Sequence, residues 1–207
     1  MPTLYYFHDP MCSWCWGYRP SARQLFSALP RNVERVNILG GLAPDSDEAM
    51  PLAERAAIAA HWRRIENMLG TEFNHDFWST CEPRRSSYPA CRAVLAAARQ
   101  GQEEAMILAI QEAYYLHAQN PSDDSTLLTL AESLDLDRAR FNADLHSPSV
   151  NRELRGQVLF ARQSPISGFP SLVLDINGNR APISVDYKDP DSSLREIQSQ
   201  LRNRSLQ

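Results

Sequence analysis

A chain of 207 residues with 43% hydrophobic and 22% charged side chains can bury a core of ordinary domain size. A formal net charge of −4, a pI near 5.7 and the lack of any basic run argue against nucleic acid or anionic lipid as a partner. No apolar run approaches the roughly 18 residues of a membrane span. Met1-Pro2-Thr3-Leu4 also lacks the positive-then-apolar order of a secretory signal. The expectation is a cytoplasmic protein with no membrane or nucleic-acid partner. There, the four cysteines point to catalytic, sensing or ligand thiols over structural disulfides.

Leu4 to Phe7 is short, apolar and aromatic, which suits a central strand buried on both faces. Asp9-Pro10 ends it, because proline offers no ladder donor and biases Asp9 away from helix. From Cys12 to Leu29 the apolar positions Trp16, Leu25, Phe26 and Leu29 keep helical spacing, softly interrupted at Gly17 and Pro20 and stopped by Pro30. Val33 to Leu42 partly alternates and reads as a second strand. Strand, helix, strand makes a βαβ unit with parallel strands and a right-handed crossover.

Between Asp45 and Ser147 alanine- and leucine-rich segments replace the strand pattern. Pro51 opens a helix over 53–69, and Phe73, Phe77 and Trp78 are expected to pack inward from an irregular stretch. Ser86-Ser87-Tyr88-Pro89 opens a helix over 90–100, closed by Gly101. A long amphipathic helix over 102–119 ends at Asn120-Pro121, and shorter helices follow over 125–134 and 137–145. Another helix spans 150–163. The segment 166–178 returns to β character, with Asn177-Gly178 as a hairpin turn and 181–187 as the return strand. Asp189-Pro190-Asp191 starts a last helix through about Leu201. The predicted organisation is an α/β domain formed by 1–44 and 148–207, split by an inserted α-helical domain over 45–147.

Chemistry concentrates in Cys12-Ser13-Trp14-Cys15. Two thiols at this spacing on a first helical turn can close a disulfide with each other or ligate a metal. A metal needs two further ligands, usually a second close pair. Cys81 and Cys91 lie far apart in the sequence, and His8 is the lone histidine near the motif. Redox chemistry is therefore the favoured expectation, against the bland alternative of two cysteines merely packed on a helix. Unpaired amides and the positive end of the macrodipole stabilise a thiolate at a helix start. That makes Cys12 the attacking thiol and Cys15, one turn inward, the resolving one. Neither Ser13 nor Trp14 adds positive charge, and Asp9 opposes a thiolate if charged. Asp9 is also the candidate proton relay for Cys15.

Trp14, between the thiols, is expected at the surface to grip substrate. Pro170 precedes the apolar strand Leu172 to Ile176. A cis Phe169–Pro170 bond would turn the Phe169 backbone outward to pair with an extended peptide or thiol substrate. Cys81 and Cys91 read as partly buried small residues in preference to a second redox pair. His8 reads as structural, and Tyr114-Tyr115 as core.

The phrase Asp9-Pro10-Met11-Cys12-Ser13-Trp14-Cys15-Trp16-Gly17 resembles the start of DsbA-like thioredoxin-superfamily proteins of the FrnE-related dithiol oxidoreductase group. Ser87-Tyr88-Pro89-Ala90-Cys91-Arg92-Ala93 and Gly168-Phe169-Pro170 resemble that group's later signatures. The resemblance implies a thioredoxin-like fold with an inserted helical domain, a dithiol at Cys12 and Cys15, and cis-Pro170 beside them. It implies thiol–disulfide exchange with protein or small-molecule thiols and disulfides, with no bound cofactor and no metal, and with glutathione as a candidate redox partner. Kappa-class glutathione transferases and isomerases of the same branch keep a serine where Cys12 stands and lack the resolving thiol. Cys15 argues against that alternative.

Overall fold

The computed structural model describes residues 1–204. β1 (Thr3–His8) leads through a short turn into α1 (Ser13–Ser27), which is followed by β2 (Glu34–Leu39). α2 (Leu52–Leu69), α3 (Phe77–Thr80), α4 (Tyr88–Ala98), α5 (Glu103–Tyr115), α6 (Asp124–Ser133) and α7 (Arg138–Leu145) come next. α8 (Pro148–Gln163), β3 (Ser171–Ile176), β4 (Asn179–Ile183) and α9 (Pro190–Arg204) complete the order. Residues group into two compact units. One holds Met1–His8, Trp14–Gly40 and, of the described residues, 157–204, and the other holds Asp9–Ser13 and Gly41–Gly156.

The first unit is built on a four-stranded sheet in the order β2-β1-β3-β4. β1 runs parallel to β2, with Tyr6 opposite Asn37, and antiparallel to β3, with Leu4 opposite Leu174. β3 and β4 form a hairpin whose turn residues Asn177 and Gly178 both take positive φ, 55° and 84°, as a two-residue turn matched to strand twist requires. Successive β1 side chains alternate between two hydrophobic clusters. Leu4 and Tyr6 join Tyr18, Ala22 and Leu25 of α1, Leu172 and Leu174 of β3, and Ile197 of α9. Phe7 joins Ile38 and Val173, with Phe160 and Ala161 from the C-terminal half of α8. The result is helix, sheet, helix, with both faces of the central strand dry, and each large apolar side chain so buried contributes about 1.5–3 kcal/mol.

α1 runs unbroken through Gly17 and Pro20, where the sequence suggested an interruption. Burial of Tyr18, Ser21, Ala22 and Leu25 along one face outweighs the single backbone hydrogen bond that Pro20 cannot make. The return strand ends at Ile183, short of the expected Tyr187.

The helical unit has a core of its own. Trp62 of α2 is fully buried and lies within 6 Å, ring to ring, of Phe73, Phe77, Trp78, Tyr114 and Tyr115. α4 supplies Ala90, Ala93, Ala96 and Ala97 as well as Val94, all buried, and packs on α5, α6 and α7. Its small side chains let neighbouring helices approach closely.

Candidate active site

The turn between β1 and α1 is organised by Asp9, which is 0% exposed. Its Oδ1 accepts from the Met11 amide at 2.8 Å. Its Oδ2 accepts from the Leu42 amide at 2.7 Å, the Ser87 hydroxyl at 2.7 Å and the Cys91 thiol at 3.5 Å. The Cys12 amide donates to the Asp9 carbonyl at 3.0 Å, closing the turn one residue before α1 begins. Ser87 is itself held, because its amide donates to the Ala43 carbonyl at 3.0 Å and its hydroxyl oxygen accepts from the Ala43 amide at 3.1 Å. Burial raises the Asp9 carboxyl above the ordinary range, while its four donors work against that rise.

Cys91, also 0% exposed, is pushed well above the usual thiol range, first by burial and then by Asp9. It remains a neutral S–H at ordinary pH and serves as a hydrogen-bond donor. Cys81 is half-buried at the C-terminal end of α3, its thiol donates to the Ala118 carbonyl at 2.9 Å, and burial raises its pKa. The sequence reading of both as partly buried small residues missed the specific task of Cys91. The signals for it in the sequence are the Ser87…Cys91 spacing, four apart on a helix start, and the resemblance of 87–93 to a family signature.

Cys12 is 6% exposed and Cys15, in the first turn of α1, is 1% exposed. Trp14 is half-buried, with its ring edge-on to Tyr187 at 5.6 Å, and Tyr187 in turn is edge-on to Tyr18 at 5.4 Å. The Tyr187 carbonyl accepts from the Ser21 hydroxyl at 2.6 Å, which ties the segment after β4 to α1. Nothing local in the sequence marked Tyr187, whose contacts come from the far end of the chain.

The Phe169–Pro170 bond is cis. Pro170 is buried and Phe169 half-buried, its ring joining the Phe7, Ile38 and Val173 cluster. That ring covers Gly40 so closely that a Cβ at Gly40 would fall on it. The Gly40 amide donates to the His8 carbonyl at 2.7 Å. Gly40, also unmarked by the sequence, is the position that lets Phe169 lie flat against the end of β2.

His8 ends β1, is 1% exposed, and stacks on Tyr6 with ring planes 2° apart. Neither of its ring nitrogens has a hydrogen-bond partner among the described residues. Burial, with help from the Arg35 charge, lowers its pKa to about 3, so it is a neutral ring at physiological pH. Among the described residues no cluster of His, Cys, Asp or Glu could hold a metal ion, and no helix is long and apolar enough to cross a membrane.

A parallel-then-antiparallel sheet flanked by helices, with paired cysteines at the start of α1, defines a thioredoxin-fold protein. Residues 5–190 match the Thioredoxin_5 family, described as thioredoxin, and the chain belongs to it. Its solved structural relatives are DsbA-like. A candidate protein disulfide isomerase from Nitrosomonas europaea is 26% identical with a TM-score of 0.85, over 98% of both chains. The cytosolic disulfide reductase DsbM from Pseudomonas aeruginosa is 25% identical with a TM-score of 0.80, over 97% of this chain and 98% of its own. A second structure of DsbM, with GSH, matches in fold at a TM-score of 0.77. In sequence, the ClpXP adapter protein SpxH from Halalkalibacterium halodurans is 27% identical over 180 residues, which cover 82% of this chain and 57% of that protein. The chain thus spans less than two thirds of the length of the curated relatives it matches.

Proposed function

We propose that the protein is a thiol–disulfide oxidoreductase that reduces protein or small-molecule disulfides through Cys12 and Cys15. The observation that carries this reading is the position of the two thiols on a thioredoxin fold, with Cys12 directly before the first residue of α1 and Cys15 in its first turn. Cys12, as its thiolate, attacks one sulfur of the substrate disulfide. The substrate S–S bond breaks, a Cys12–substrate bond forms, and the displaced sulfur leaves as a thiolate that takes a proton from solvent. Cys15 then loses its proton, attacks the Cys12 sulfur and expels the second substrate thiol. The substrate has gained two electrons, and the protein holds them no longer, as a Cys12–Cys15 disulfide.

Two molecules of glutathione would return the dithiol and leave as glutathione disulfide, with no bound cofactor required. The description of DsbM as a cytosolic disulfide reductase, and its structure with GSH, support this direction and this reductant. Trp14, Phe169 and Pro170 are the proposed substrate-binding residues. Asp9, expected from the sequence as a proton relay, has its oxygens engaged by four donors. Its proposed part is to position the turn that carries Cys12.

The sequence relatives named as ClpXP adapters favour a second reading, a client-presenting adapter that needs no thiol chemistry. One pair of assays separates the readings. Under the first, replacing Cys12 by serine lowers turnover of an insulin-type disulfide substrate at least a hundredfold. Under the second, a double Cys12→Ser, Cys15→Ser protein still accelerates ClpXP degradation of a client, and wild type shows no disulfide reduction. A glutathione transferase or isomerase is marked instead by activity that survives Cys15→Ser.

A further inference from the structure

The helical unit contains a cleft of about 540 Å³, walled in part by Asp45, Arg92, His146, Asn151, Arg152 and Arg155. Arg152 and Arg155 lie on the face of α8 that also carries Asn151, one helical turn apart along the cleft. Both are exposed, and neither has an ion-pair partner among the described residues. Arg92 forms the opposite wall from α4. It is only 12% exposed, is held bidentately by Asp45 at 2.7 and 2.9 Å, and reaches the Asn151 side-chain oxygen at 3.5 Å. His146, which caps the end of α7, sits 3.3 Å from Asp124.

Three guanidiniums against one carboxylate leave these walls two charges positive, with histidine neutral, on a chain whose net charge is −4. The local sign is opposite to that of the whole molecule. Guanidinium groups are matched in geometry to carboxylate and phosphate oxygens, and a braced arginine loses little freedom on binding. The volume is that of an ordinary small-ligand site. Two uncompensated arginines one turn apart, facing a third already fixed in place, form a receptor for more than one acidic group.

We propose that this cleft binds a small polyanion, a molecule with two or more carboxylate or phosphate groups. Arg152 and Arg155 supply the charge-assisted hydrogen bonds, and the Arg92–Asp45 pair with Asn151 forms the rigid wall. Titration calorimetry at low ionic strength with pyrophosphate and, separately, with citrate tests this on the full chain. At least one of the two should saturate at one molecule per chain. The Arg152→Gln, Arg155→Gln double variant should weaken that binding about tenfold or more. Arg162→Gln, an exposed arginine of the same helix outside the cleft, should change it less than about twofold. Saturation by pyrophosphate alone would identify a phosphate ligand and by citrate alone a carboxylate one. Failure of both anions to saturate, or equal weakening by Arg162→Gln, would overturn the proposal.

Discussion

The buried neighbours His8 and Asp9 have opposite pH signatures. The folded protein keeps His8 neutral down to about pH 3, whereas an unfolded chain protonates histidine near 6.5. Between those values unfolding takes up a proton, so stability falls as pH drops through that window, by up to about 1.4 kcal/mol per unit. Asp9 works the other way. Its raised pKa means that the folded state takes up its proton first, so its contribution is greatest in acid and is lost as pH rises through the folded value. A His8→Phe variant separates the two, because Phe keeps the stack on Tyr6 and no hydrogen bond of the ring is lost. Denaturant titrations should show the fall in stability from pH 7 to pH 5 shrinking by about 2 kcal/mol relative to wild type. An unchanged fall would mean that His8 is solvated or charged in the folded state.

Among the elements, those with a strong local signal were legible in the sequence. The β3–β4 hairpin was marked by Asn177-Gly178, α9 by Pro190 at its first turn, and the α4–α5 junction by Gly101 at a positive φ of 75°. The sequence suggests a soft break in α1 because propensity penalises Gly17 and Pro20, and only tertiary burial shows why the helix continues. The site was legible to the same extent. Cys12, Cys15 and Pro170 stand out by spacing and punctuation, while Gly40, Ser87 and Tyr187 act through partners far away in the chain. Gly40 gives the clearest element-level test. Gly40→Ala must displace the Phe169 ring from the end of β2, so it should cost about 1–3 kcal/mol by chemical denaturation and shift the Phe169 ring resonances. A neutral substitution would show that the ring does not lie on Gly40.

For the whole molecule, the α/β sheet with its run of helices between β2 and β3 is the thioredoxin-like arrangement that the strand, Cys-x-x-Cys helix, strand order foretold. On it, four cysteines differ in their surroundings. Cys91 is locked as a donor to Asp9, and Cys81 is the most exposed of the four but lies away from any helix start. Simple accessibility would make Cys81 react first, whereas the proposed chemistry makes Cys12 react first. The deciding measurement is mass spectrometry with peptide mapping after brief exposure of the reduced Cys15→Ser protein to glutathione disulfide. The expected result is one glutathione adduct, on Cys12, where wild type treated alike instead gives a Cys12–Cys15 disulfide. An adduct confined to Cys81, or a wild-type protein that forms no Cys12–Cys15 disulfide, would contradict it.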